Sequence, residues 1–526
     1  MIEFFDFLSG GVPGGILVLI FLIVASIIFF RLLKASEIIS AQQSKKLQIV
    51  VSVVLIIIYI TIWFALRPPL PPQRIVILPS RDQNGTIQLN DNTFILPEMI
   101  QRYAYNNLNE KYLLHRWEWL LETVGKDSIE KYSIWLRIAQ NLGAKFIIES
   151  QLENQDSKYE ITVNQIDSNA SIENILSGSM DLSQFIKKLD EELDIFSKKK
   201  VLSDFPEKNY IKAKALYALD HYEKSLALIE NNQDNDCKVL KARIYMEKGL
   251  QIKFDRVKHE FVKFDNPDFK KSKKILNEII KDNKDWPGVA YILGKIALRE
   301  SDYLKADTYL KKAFIDDPSD CRIHLALSYL LPERLIAIGY QNRIEILNRA
   351  VFLDPGFSTA VYELAKEYFE SGTGTPTGTG TTMALNTMEK FFKIKNDDPR
   401  ILSLLASVYL RISRIDDAQK LFDKLLEMYP NDSDNYYNLG VVFYQKKQFN
   451  TALDYFLKAI AMDKNLDSYL YAAMIYRELG NKEQALKYFR ERVKRMTGED
   501  DYYAREAMQG IRTVLEEMKS DSVNAN

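Results

Sequence analysis

Catalysis needs reactive side chains at usable spacing, and the four histidines of this chain do not supply it. His115, His221, His259 and His324 lie in separate segments, and "HEFVK" around His259 lacks the second histidine that a zinc-protease helix places one turn further on. Cys237 and Cys321 stand far apart, and neither has a Cys-x-x-Cys partner. That excludes a zinc module and a disulfide framework and leaves two packed thiols. The run 371–383, "SGTGTPTGTGTTM", suggests a phosphate cradle by its glycines, but it has no Lys-Ser/Thr ending and no preceding strand. It reads as a flexible surface loop. The acidic pairs Asp316-Asp317 and Asp397-Asp398 fall in turns, where aspartate caps helices. No G-x-S-x-G, paired-cysteine or kinase set is present. The residues therefore predict no catalytic site, no metal site and no cofactor. A non-enzymatic protein is expected, and the next question is what its elements position.

The formal net charge is −1, from 70 basic and 71 acidic side chains, so no overall field favours nucleic acid. Apolar residues are concentrated near the start. Residues 14–33 ("GGILVLIFLIVASIIFFRLL") and 47–66 ("LQIVVSVVLIIIYITIWFAL") each reach the roughly 20 residues that cross a bilayer as a helix. Two transmembrane helices are predicted within a hairpin spanning residues 1–66. The leader carries Glu3 and Asp6 rather than the basic residues of a cleaved signal peptide. Arg31, Lys34, Lys45 and Lys46 around the connecting loop outnumber Arg67 and Arg74 after it. The positive-inside bias thus predicts a bacterial inner-membrane protein whose N-terminus and later domains lie in the periplasm. Residues 67–73, with four prolines, read as a stiff spacer.

Beyond the spacer, "RIVIL" (residues 74–78) reads as a short buried strand, and "FILPEMIQRYAYNNL" and "SIEKYSIWLRIAQNLG" read as amphipathic helices. "AKFIIESQLE", "KYEITVNQID" and "ILSGSMDL" read as three strands, and "DLSQFIKKLDEELDIFSKK" as a closing helix. A small α/β domain is expected over residues 74–199. Leu78-Pro79, Leu142-Gly143-Ala144, Tyr159 to Val163 and Asp167 follow a short motif set that resembles the N-terminal domain of TolB. The chain departs from that pattern at Ser80 and at Glu149-Ser150. The resemblance implies a binding and assembly module.

From residue 203 to 497 the texture is helical, and it repeats. Ala384, Ala418 and Ala452 recur at a spacing of 34, with Ala306 and Ala485 in register and Ser225, Ser272 and Arg343 as weaker copies. Leu293-Gly294, Leu405-Ala406 and Leu439-Gly440 mark a small-residue step in the first helix of each unit. Tyr303 and Phe449 precede the second helix, and Ala313 and Ala459 provide its second small residue. Only Gly, Ala or Ser fits where two such helices cross closely. The pattern resembles tetratricopeptide repeats (TPRs). The resemblance implies an all-α TPR superhelix of about seven units over 203–497, a capping helix at 500–519 and a polar tail at 520–526.

A TPR superhelix exposes a concave groove lined by first helices. Projecting the register onto that face selects Tyr291, Lys295, Arg299, Tyr362, Lys366, Arg411, Tyr437, Tyr444 and Arg477. Tyrosine anchors with a basic tint suit an extended or helical peptide bearing carboxylates. The Lys/Asn carboxylate-clamp pattern is absent. The function expected is a membrane-anchored periplasmic scaffold that binds envelope or membrane proteins, with the lipid bilayer contacted through its two helices and with no nucleic acid. The alternative is a signalling component whose α/β domain senses a ligand and regulates the TPR array or membrane partners.

Overall fold

The computed structural model of the chain describes residues 72–81, 86–87, 93–105, 108, 111–152, 159–166, 172–193, 207–250, 267–283, 285–371, 378–462, 465–498 and 500–524. Residues from Gln73 onward form one compact unit.

Its first part is a five-stranded sheet. β1 (Gln73–Ile77), β2 (Tyr112–His115), β3 (Ala144–Leu152), β4 (Tyr159–Ile166) and β5 (Ile172–Met180) run in the order β2-β1-β3-β4-β5. The pairs β2-β1 and β1-β3 are parallel, and β3-β4-β5 form an antiparallel meander. β1 lies between two parallel neighbours and is covered on both faces, which is why "IVIL" is apolar without alternation. Ile75 and Ile77 pack with α1 (Ile95–Tyr105) and α4 (Leu182–Leu193). Val76 and Leu78 pack on the opposite face with α2 (Trp117–Val124) and α3 (Tyr132–Asn141). The expected strand at residues 74–78 and the expected helices correspond to β1, α1, α3 and α4. β2 and α2 were not anticipated.

The second part stacks antiparallel helix pairs. They are α5 (Lys208–Ala218) with α6 (Tyr222–Ile229), α7 (Asn235–Leu250) with α8 (Pro267–Asp282), and α9 (Val289–Arg299) with α10 (Tyr303–Asp316). Next come α11 (Cys321–Leu327) and α13 (Arg343–Leu353), separated by the short α12 (Pro332–Ile336). Then follow α14 (Ser358–Ser371) with α15 (Thr379–Ile394), α16 (Pro399–Arg411) with α17 (Ile415–Met428), α18 (Ser433–Gln445) with α19 (Phe449–Ala461), and α20 (Asp467–Glu478) with α21 (Lys482–Lys494). The last helix, α22 (Tyr502–Asn524), packs on the final pair.

The small residues do what the period requires. Ala306, Ala384, Ala418, Ala452 and Ala485 are fully buried. A Cβ on Gly294 would stand 2.6 Å from Leu310 Cδ2, and one on Gly440 would stand 2.6 Å from Phe456 Cε1, closer than packed atoms allow. Serine is tolerated because the facing helix offers an acceptor. The Ser225 hydroxyl donates to the Ala213 carbonyl at 2.6 Å, and the Ser272 hydroxyl to Ala242 at 2.7 Å. Arg343 is no weak copy. It begins α13 and its guanidinium reaches Glu363 and Glu367. Asp302, Asp320, Asn342, Asp398, Asp432 and Asn481 each cap the helix that follows by accepting a backbone N–H.

Two expectations are corrected. No helix among the described residues is long and apolar enough to cross a membrane; even α9, among the most apolar, carries Lys295 and Arg299 within eleven residues. The segments 14–33 and 47–66 lie outside the described residues. The two-transmembrane fold class rested on their hydropathy, and the inner-membrane, periplasmic placement on that hydropathy and the flanking basic residues; both give way to an α/β domain followed by a helical solenoid. The Gly/Thr loop is also shorter than expected, because α15 begins within it at Thr379, with Gly378 as its N-cap. Residues 372–377 of that loop, and His259, lie outside the described residues.

Candidate partner-binding groove

The α/β domain does not stand apart from the array. Its α2 seats on the inner face of the first repeats. Leu120, Leu121 and Val124 share one buried core with Ile211, Ala215 and Ala218 of α5, with Leu219 just after it, and with Ile394 at the end of α15. Leu113 and Trp119 share another with Cys321 and Leu353. Continuous apolar packing of this kind fixes two layers relative to one another.

Ion pairs flank the apolar contact. Glu98 is only 2% exposed and accepts from Trp117 Nε1 at 2.8 Å, Lys214 Nζ at 2.8 Å and Arg102 Nε at 2.9 Å. Lys214 also pairs with Glu118 at 3.3 Å. Burial disfavours the Glu118 charge, yet Lys214 and Arg116, with a hydrogen bond from Gln101, hold its carboxyl down to about 2. Arg116 pairs with Asp317, and with Asp320 at 3.4 Å, while its guanidinium covers the Trp119 ring at 4.9 Å. Arg322 pairs with Glu122 one turn along α2. Thus Asp317 and Asp320, in an inter-repeat turn, dock the neighbouring domain. The turn after α13 meets α2 directly, since a Cβ on Gly356 would lie 2.7 Å from Thr123 Oγ1.

A second buried cluster anchors β1. Arg74 donates to the Leu353 carbonyl at 2.8 Å and the Phe352 carbonyl at 2.5 Å, so it caps the end of α13. It also donates to His115 Nδ1 at 3.2 Å, which leaves the proton of the neutral ring on Nε2, 4.0 Å from Asp354 Oδ1. Burial and Arg74 hold the His115 pKa well below the ordinary value, so the ring is neutral. Burial raises the Asp354 carboxyl to about 6, against the Gly356 N–H and Arg74.

The residues selected from the register divide accordingly. Tyr291 is buried at 5% exposure and cannot anchor a partner. With Tyr217 it flanks Arg243, whose guanidinium lies 5.4 Å from each ring. The buried Nε and Nη2 of Arg243 have no hydrogen-bond partner. Lys295 lies 5.9 Å over the Tyr291 ring, and Arg299 is half-buried at the end of α9. Tyr362 is covered by Arg400 at 5.5 Å, and Lys366 is 3.7 Å from Glu370 with a side chain 44% exposed. Arg411 stacks on Phe369 at 3.6 Å and donates to its carbonyl. Tyr437 and Tyr444 both meet Tyr471 edge-on, at 5.8 and 5.5 Å. Arg477 pairs with Glu517 of α22 at 3.0 Å. Tyr437 and Tyr444 thus meet on Tyr471, and Tyr362 and Lys366 stand one turn apart on α14. The structure removes Tyr291 from the surface and ties Arg411 and Arg477 to their neighbours. Arg400, Phe369 and Tyr471 are the neighbours of these positions, and Tyr471 follows Tyr437 by the repeat period of 34.

Residues 397–465 and 467–495 match tetratricopeptide repeat family models. Among solved structures, the chain is similar to the APC/C hetero-tetramer Cut9-Hcn1, at 15% identity over 59% of this chain and 55% of that one, with a TM-score of 0.42. It is similar to a tetratricopeptide repeat protein from Parabacteroides merdae, at 14% identity, 52% and 99% coverage and a TM-score of 0.34. It is also similar to Pseudomonas aeruginosa pilF, at 17% identity, 44% and 99% coverage and a TM-score of 0.33. No curated protein matches the chain. None of these comparisons supports the resemblance of residues 74–199 to the TolB N-terminal domain. The part of the helical array over residues 397–465 and 467–495 is built of tetratricopeptide repeats.

Proposed function

We propose that this chain is a scaffold that binds a protein partner along the concave face of α14, α16, α18 and α20. TPR arrays in general mediate protein–protein interactions. The carrying observation is that α2 packs on α5 and pairs with Arg322 of α11, while Tyr362, Lys366, Tyr437 and Tyr444 stand on half-exposed positions of first helices further along the array. Rigid aromatic rings with neighbouring cations supply contact area at low conformational cost. A photo-crosslinking residue placed at Tyr444 should yield a discrete protein adduct in cells, and one at Lys420, on a second helix, should not. Adducts of equal yield from both positions would remove the groove from the account.

A further inference from the structure

The last two repeats set their aromatic rings between carboxylates. Asp434, Tyr437 and Tyr444 share one face of α18, and Asp467, Tyr471 and Glu478 share the matching face of α20, at helical spacings of three, four and seven. The two faces adjoin, because the Tyr471 ring meets both Tyr437 and Tyr444 edge-on. All three rings are half-buried, and Asp434 and Glu478 are exposed.

Most cations nearby are already paired. Arg492 is shared by Asp467 and Asp501, Arg477 pairs with Glu517, and Lys446 pairs with Asp416. Asp434 accepts only a neutral donor, Asn465 Nδ2 at 3.1 Å, and Glu478 has no ion pair among the described residues. With Lys447 in the turn after α18 included, six acids stand against four cations around these rings. The local field therefore repels an acidic segment and draws in one that carries a cation.

The chain itself contains such a sequence. Residues 67–72, "RPPLPP", combine four prolines with Arg67, and of these only Pro72 lies within the described residues. Proline fixes φ near −65°, so a peptide of this sequence is extended before it binds and loses little freedom on docking. Proline also lacks a backbone N–H, so the sequence offers mainly carbonyl acceptors and needs donors from its site. Tyr444 supplies one, because its hydroxyl donates to no described residue, and Glu478 stands close enough to act on it. Aromatic-lined grooves are the sites on which proline-rich segments dock.

We propose that the groove of α18 and α20 takes the proline-rich sequence 67–72 of a second copy of this chain, with the prolines on Tyr437, Tyr444 and Tyr471 and Arg67 toward Glu478. This rests on the reading of the groove as a partner site, and it names the occupant. The two surfaces differ, so the contact links copies head to tail.

The test uses the full chain and a labelled synthetic peptide with the sequence of residues 67–72. Fluorescence anisotropy should show saturable binding. The peptide carrying Arg67→Ala should bind about tenfold more weakly, the scale of one lost charge pair, and the peptide carrying Pro68→Ala/Pro69→Ala/Pro71→Ala/Pro72→Ala should not bind. In the protein, Glu478→Lys should weaken binding about tenfold and Tyr444→Ala should abolish it, both with the thermal midpoint kept. Tyr444→Phe keeps the ring and removes the donor; its loss of about threefold keeps the test decisive if Tyr444→Ala folds poorly. Light scattering should show a mass that rises with concentration and returns to that of one copy when unlabelled peptide is in excess. Equal binding of the alanine peptide, or binding indifferent to Glu478→Lys, overturns the assignment. A mass that excess peptide leaves unchanged overturns the second copy in favour of a proline-rich segment of another protein. Failure of the peptide, while Tyr444 still crosslinks to a partner, overturns the occupant and leaves the groove reading standing.

Discussion

Arg74, on the first strand, donates to the carbonyl of Leu353, which lies 279 residues later in the chain and closes helix α13. One guanidinium thus spans the sheet and the array, satisfying two helix-end carbonyls and a histidine nitrogen. Removing it leaves three buried acceptors without a donor, and each such loss costs about 1–3 kcal/mol. Arg74→Ala should therefore lower unfolding stability by about 3 kcal/mol or more. Arg74→Lys, which cannot reproduce the planar fork, should recover only part of that loss. Urea denaturation followed by tryptophan fluorescence measures both; a lysine variant as stable as wild type would contradict the forked contact.

Asp354 gives the junction a pH dependence of definite sign. Its carboxyl is raised to about 6 in the folded chain, above the ordinary 3.8. Holding it charged therefore costs stability above pH 6, and that cost disappears as the pH falls through 6 toward 4. Asp354→Asn keeps an acceptor for the Gly356 N–H at that position and carries no charge. The variant should be more stable than wild type at pH 8 by about 1–3 kcal/mol, and the difference should shrink to nothing near pH 4. The neutral His115 and the charged Arg74 face this carboxyl in both proteins, so the comparison isolates Asp354. Thermal melts across the range provide the measurement, and a gap that does not change with pH would exclude the raised carboxyl.

Glu118 has the opposite sign. Its carboxyl is held near 2, below the ordinary 4.5, so its contribution is complete above pH 4.5 and is lost as the pH falls toward 2. Glu118→Gln should cost on the order of 3 kcal/mol at pH 7, because Lys214 and Arg116 would each lose a buried counter-charge. The cost should fade below pH 4. If Glu118→Gln were neutral at pH 7, the seat of α2 would owe nothing to its charge.

These positions also mark where sequence reading stops. The array is legible because Ala384, Ala418 and Ala452 repeat a close helix crossing at one period, a constraint that acts locally. β1 is legible as a short apolar run, and α1 and α3 through their one-sided patterns. The stretch 112–124, "YLLHRWEWLLETV", defeats the same rules. It mixes a four-residue strand, too short to show an alternation, with an eight-residue helix that buries all but one of its side chains, so neither period shows. Its role depends on Arg116 meeting Asp317, 201 residues away, and no local pattern encodes that. Tyr291 was misjudged for the same reason. The register places it on the groove face, but its ring is buried within the array and lies under Arg243.

The turns inside the repeats carry a constraint that their residues do not advertise. Asp220, Ser301, Ser413, Lys447 and Gly480 all have φ between 58° and 78°. Each lies five residues before the buried small residue of its second helix, namely Ser225, Ala306, Ala418, Ala452 and Ala485. The left-handed conformation is thus a property of the helix-to-helix turn itself, and only one of the five positions holds glycine. An L-residue there costs roughly 1–2 kcal/mol in steric strain, while glycine costs roughly 0.5–1 kcal/mol in chain entropy. Lys447→Gly and Ser413→Gly should therefore raise stability by up to about 1 kcal/mol each, and they should add when combined, because the sites lie in separate repeats. Gly480→Ala should lower it by about 1 kcal/mol. Guanidinium unfolding of the single and paired variants measures both signs; a Lys447→Gly protein destabilised as much as a glycine inside a helix would show that the turn is not held left-handed.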